Sequence, residues 1–172
     1  MARHIEINPA NHLTIGTVGQ PGNRTFFLQG GRGSEVISLV IEKIQAAAIA
    51  DSFEELLADL AKEHPAISRD LQKGSVQIDL RLHEPVDPLF RVGNLGLGYN
   101  DELERVIVVA YELVAEEEDA NMVSFWVKAH QAQALIEHAR TVVSSGRPIC
   151  GNCGNPIDAD GHFCPHRNGY KI

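Results

Sequence analysis

Two stretches decide the fold: Ser38-Leu-Val-Ile-Glu-Lys-Ile-Gln-Ala-Ala-Ala-Ile49 and Ser124-Phe-Trp-Val-Lys-Ala-His-Gln-Ala-Gln-Ala-Leu135. Each begins as a strand, with β-branched and aromatic residues. Each crosses a short polar junction and continues as an alanine-rich helix. Working outward, Ile15-Gly-Thr-Val-Gly19 is similar to Val92-Gly-Asn-Leu-Gly96, and Arg24-Thr-Phe-Phe-Leu28 to Arg105-Val-Ile-Val-Val109. The pattern predicts two pseudo-repeated βββα halves, about 1–64 and 90–146, with a linker over 65–89. Because a three-stranded meander with one helix buries little alone, the halves are expected to share one core. The fold class expected is α+β: a mainly antiparallel sheet with two packed helices, forming a body over 1–146.

The remaining elements follow from periodicity. Strands are predicted at 12–18, 24–29, 36–41, 90–97, 105–113 and 122–127, with turn chemistry such as Gln20-Pro-Gly-Asn23 between them. Ile49, Phe53, Leu56, Leu57 and Leu60 form the apolar stripe of one helix, which His64-Pro65 should end. Ala132, Leu135, Ile136, Ala139, Val142 and Val143 form the stripe of a second, over 130–145, with Gly146 and Pro148 beyond it. Val76, Ile78, Leu80 and Leu82 alternate with polar residues and predict one further strand at 76–82. Gly93-Asn-Leu-Gly96-Leu-Gly98 lacks the helix that a dinucleotide fingerprint requires after its glycines. It reads instead as a twisted or bulged strand.

The 172 residues carry 15 Lys and Arg against 23 Asp and Glu, for a net charge of −8. That balance excludes a general nucleic-acid or anionic-membrane binder. Residues 140–172 are nevertheless locally +2, leaving −10 on the rest of the chain. No apolar run approaches the roughly 20 residues needed to cross a bilayer. The first residues lack the apolar core of a secretory signal, so a cytoplasmic location is expected. All three cysteines fall in the last 23 residues, within Cys150-Gly-Asn-Cys153 and His162-Phe-Cys164-Pro-His166. Cys-x-x-Cys followed by glycine is the shape of a zinc knuckle, and reducing conditions keep the thiolates available to metal. Cys150, Cys153 and Cys164 supply three ligands of a structural Zn2+ site in a tail over 147–172. His162 and His166 compete for the fourth. A redox Cys-x-x-Cys would need a helix N-terminus, and the surrounding Gly, Pro and Asp offer none.

No Gly-x-Ser-x-Gly, His-Glu-x-x-His or P-loop pattern occurs. Around the matching junctions, Arg24, Lys43, Gln45, Lys128, His130 and Gln131 are the candidate ligand-binding residues. They would line a polar cleft if the junctions faced each other. The leading functional reading is a non-enzymatic binding or adaptor protein with an unidentified protein or small-molecule partner. The alternative is an enzyme acting on a nucleotide or phosphorylated small molecule through that cleft. In it Arg24, Lys43, Lys128 and His130 would supply the electrostatic and acid–base groups.

Thr17-Val-Gly-Gln-Pro-Gly-Asn-Arg-Thr-Phe-Phe-Leu-Gln29, Glu42-Lys-Ile-Gln45, Phe90-Arg-Val-Gly-Asn-Leu-Gly-Leu97, Gly146-Arg-Pro148 and Gly161-His-Phe-Cys-Pro-His-Arg-Asn-Gly-Tyr170 together resemble a bacterial family, domain-of-unknown-function family 3090. The resemblance implies no activity or substrate. It does place a family histidine at His162 and an arginine near His166, which favours His162 as the fourth ligand.

Overall fold

The computed structural model describes residues 2–145 apart from 21, 74–77 and 117. The chain runs β1 (His4–Ile7), β2 (His12–Val18), β3 (Thr25–Arg32), β4 (Glu35–Ile41), α1 (Lys43–Glu63), α2 (Pro65–Leu71), β5 (Pro88–Asn100), β6 (Arg105–Glu112), β7 (Met122–Val127) and α3 (Ala129–Ser145). The result is α+β, with one seven-stranded sheet ordered β1-β7-β6-β5-β4-β3-β2. Two antiparallel meanders, β2-β3-β4 and β5-β6-β7, are joined by the parallel β4–β5 pair. A second parallel pair, β1 on β7, closes the series.

The sheet cannot be flat. Its edge strands β1 and β2 follow each other in sequence with only residues 8–11 between them. Six strand-to-strand steps would hold flat edges about 29 Å apart, more than four residues readily bridge. The sheet therefore curls until β1 and β2 read as one bent strand, serving β7 with its first part and β3 with its second. Across the bend, Ala10 N–H donates to Trp126 O (2.7 Å) and Asn11 N–H to Gly31 O (3.0 Å).

One sheet face and the apolar stripes of α1 and α3 form a single core, with Phe53, Phe125, Leu28, Leu39 and Leu135 fully buried in it. The helices pack antiparallel: Arg140 in the second half of α3 reaches Asp51 (2.9 Å) and Glu54 (3.1 Å) in the middle of α1, while Ala61, further along α1, shares a hollow with Gln133, earlier in α3. None of the described helices is long and apolar enough to cross a membrane.

Three local expectations are corrected. Residues 78–82 form no strand, and 76–77 lie outside the described residues. Ile78, Leu80 and Leu82 do alternate in burial with Asp79 and Arg81, but as an extended strap laid over β2. There Thr14 Oγ1 donates to Leu80 O (2.6 Å), and the Leu82 side chain fills the space above Gly16, where a Cβ would meet it at 2.5 Å. Second, the 65–89 linker contains α2. Pro65 does end α1, but it also sits in the first turn of α2, where its missing N–H costs nothing. Third, β1 was not expected at all. The bulge anticipated in the glycine stretch is present, as a register shift between Val92 and Asn94.

Candidate functional site

The two strand-to-helix junctions are built alike. At the first, Gln45 Oε1 accepts the Glu42 N–H (2.8 Å) and caps α1. Its Nε2 donates to Val92 O (3.3 Å) and Gly93 O (3.1 Å) on the parallel neighbour β5. At the second, Gln131 Oε1 accepts the Lys128 N–H (2.8 Å), and Nε2 donates to Ala10 O (3.0 Å), just beyond the parallel neighbour β1. Each amide thus satisfies a helix N-terminus and locks it to the strand alongside. Lys43 and Lys128 are exposed, and Glu42 pairs with Arg91 at 2.7 Å.

The six candidate ligand-binding residues do not converge. Because α1 and α3 are antiparallel, the junctions stand at opposite ends of the helix layer. The first lies beside Val92 and the second beside the Tyr99–Val106 pair, about 23 Å further along β5. Arg24 stands near the end of α3, away from the second junction. It donates to Val142 O (3.3 Å) and lies 4.8 Å over the Phe26 ring. Thirteen helical residues, about 20 Å, separate that carbonyl from the start of α3. Arg24, Lys43 and Gln45 therefore belong to one end, and Lys128, His130 and Gln131 to the other.

At the second end the structure adds a residue that the sequence reading missed. Asp70, on α2, accepts both the backbone N–H and Nδ1 of His130, each at 2.8 Å. Burial opposes the Asp70 charge. The two His130 bonds and the nearby Lys73 outweigh it, holding the carboxyl below its ordinary pKa. A carboxylate on Nδ1 leaves Nε2 of a neutral His130 as the acceptor. The ring edges a cavity of about 510 Å³ between the outer face of α3 and the strap at Ile78 and Leu80. On the other side of Asp70, a hollow of about 340 Å³ is lined by Arg69, Lys73 and Lys128 and by the Glu104 carboxylate. Asp70 and His130 lie 60 residues apart, and α2 is too short for its periodicity to show.

A polar cluster fixes the strap that walls the larger cavity. Gln29, fully buried in β3, grips the peptide group of His83 from both sides: His83 N–H donates to Oε1 (2.7 Å), and Nε2 donates to His83 O (3.0 Å). These contacts set the amide orientation, so His12 Nε2 must be the donor to Oε1 at 3.0 Å. The remaining amide hydrogen goes to Ser38 Oγ (3.0 Å). The imidazoles of His12 and His83 stack with centroids 3.8 Å apart. Burial pushes the His12 pKa down, against the opposing effect of the Gln29 bond, and the neighbouring His83 lowers it further. Within the strap, Arg81 and then His83 bond Asp79, whose carboxyl is held far below the usual range.

Cys150, Cys153, His162 and Cys164 lie outside the described residues, as does His166. Among the described residues, no group of three His, Cys, Asp or Glu is placed to hold a metal ion. Neither the curated proteins nor the solved structures include a match to this chain. The model of the family described as protein of unknown function (DUF3090) matches residues 5–164. With nearly its whole length matched, from β1 to the last cysteine, the chain belongs to domain-of-unknown-function family 3090.

Proposed function

We propose that this chain is a non-enzymatic binding or adaptor protein of the cytoplasm. In this reading a body of two like βββα halves carries a C-terminal structural zinc knuckle made by Cys150, Cys153, His162 and Cys164. One observation supports the non-enzymatic reading above others: the two junction glutamines and Arg24 are already engaged by the fold. Gln45 and Gln131 bond backbone on both sides of their amides, and Arg24 holds the carbonyl of Val142. The tail offers three thiolates and an imidazole, a full tetrahedral set for zinc. Metal binding supplies the folding energy of a segment with so little apolar sequence. Purified protein should contain one zinc per chain. A Cys150→Ser, Cys153→Ser variant should lose it while the body melts at the same temperature. A metal-free wild type, or equal zinc in the variant, would remove the knuckle. Partner recovery with the two forms then tests whether the tail takes part in binding.

A second reading is favoured by the Asp70–His130 pair. A histidine oriented by a carboxylate, beside a hollow where Arg69, Lys73 and Lys128 outnumber the Asp70 and Glu104 carboxylates, suits acid–base work on a phosphorylated small molecule. In that case the site is confined to the second junction and does not use Arg24 or Lys43. His130→Gln should abolish turnover of any phosphorylated substrate found by screening, with stability little changed. Retained turnover would dismiss the pair as a purely structural tie between α2 and α3.

A further inference from the structure

Helix α1 carries two acidic pairs, and they are treated differently. Asp51 and Glu54 are gripped by the Arg140 guanidinium. Glu55 and Asp59, four residues apart and displaced about a quarter of the way round the helix from them, are exposed and have no ion-pair partner among the described residues. Like charges at this spacing oppose helix formation. They stand at the rim of a groove of about 370 Å³ between α1 and β5. Its floor is open because the residues there are small: Ala48 and Ser52 on the helix, Gly96 on the strand. A Cβ at Gly96 would meet nothing within 4 Å. Leu56, Leu95 and Leu97 form apolar walls. One turn before Ala48 on the same helix face, Ile44 is 77% exposed, the most exposed large apolar side chain among those described.

We propose that this groove docks a basic amphipathic helical segment of a partner protein. The segment's apolar stripe would lie on Ile44, Leu56, Leu95 and Leu97, and its Lys or Arg side chains would meet Glu55 and Asp59. From Ala48 to Asp59 the groove runs about 16 Å along the helix, the length of three helical turns. Small floor residues let a helix backbone approach closely, as helix-in-groove recognition requires. The unpaired carboxylates select the sign of the partner's charge, and the chain's net −8 steers such a segment toward it. The proposal deepens the binding-protein reading and rests on it.

The test is fluorescence anisotropy on the full, zinc-loaded chain with a labelled 16-residue Leu/Lys amphipathic peptide as the probe. Saturable binding is expected. It should weaken at least tenfold in Glu55→Lys/Asp59→Lys and at least tenfold in Ser52→Trp, which fills the groove. Glu63→Lys, an exposed change on the same helix outside the groove, should stay within twofold of wild type, and all variants should melt as wild type does. Equal weakening by Glu63→Lys would reduce the effect to net charge and overturn the proposal. So would equal binding of a Leu/Glu peptide. Binding that emerges only after Arg147, Arg167 and Lys171 are changed to Glu would put the chain's own tail in the groove. Self-association abolished by Ser52→Trp would put a second copy there. If the peptide fails while zinc-dependent partner recovery persists, the groove assignment falls and the adaptor reading stands.

Discussion

His12 shows how one side chain couples the strap to the sheet. It is 7% exposed, donates from Nε2 to Gln29, and stacks on His83. In the unfolded chain it titrates near 6.5, whereas burial lowers its pKa in the fold. A depressed folded-state value means that its stabilising contribution is complete above 6.5 and is lost as pH falls through the lowered value. The titratable groups facing it are His83 and Asp79, both on the strap. The melting temperature should therefore drop from pH 7.5 to pH 5, and the drop should be smaller in His12→Asn. Equal pH slopes in the two proteins would show that the sensitivity lies elsewhere. Little of this cluster is legible in the sequence. His12 and Gln29 are ordinary strand residues until the strap places the His83 peptide group against them, and that contact spans 54 residues. The same holds for Asp70 and His130.

At the scale of elements, legibility follows length and pattern. β2 and β7 coincide with the strands predicted, and α3 differs by one residue at its start, because strong periodicity and clear turn chemistry bound all three. Four-residue β1 has too few side chains to display a period, and seven-residue α2 spans barely two turns. The strap shows the opposite error. An extended segment on a surface alternates its side chains as a strand does, and only ladder hydrogen bonds distinguish the two. The junctions carry the element-scale prediction. Gln45 and Gln131 make the same cap and a like tie to neighbouring backbone, so each change to alanine should cost a similar amount. Loss of the cap bond and the strand tie amounts to about 1–2 kcal/mol in each case. Urea denaturation of Gln45→Ala and Gln131→Ala measures both. Costs that differ by more than about 1 kcal/mol would mean that the junctions are alike in outline only.

For the whole molecule, the decisive feature is the curl of the sheet. Gly30 on β3 and Phe125 on β7 are four strand steps apart in the sheet order, about 19 Å if the sheet were flat. A Cβ at Gly30 would nonetheless come within 2.5 Å of the Phe125 ring and 3.1 Å of His12 O. Nothing in a sequence separation of 95 residues announces that contact, although the short β1–β2 connection forces it once the strand order is known. Phe125 is completely buried among core side chains, and a close-packed interior resists its displacement. Gly30→Ala should thus destabilise by about 1–3 kcal/mol, as overpacking does, despite alanine's advantage over glycine in the unfolded chain. Phe125→Leu alone should also destabilise, by leaving space where the ring edge was. Combined, the leucine removes the atoms that the new methyl strikes, so the double variant should be more stable than the sum of the single losses by about 1 kcal/mol or more. Additivity within about 0.5 kcal/mol would mean that β3 and β7 do not touch, and the sheet would have to be more open than the edge connection allows.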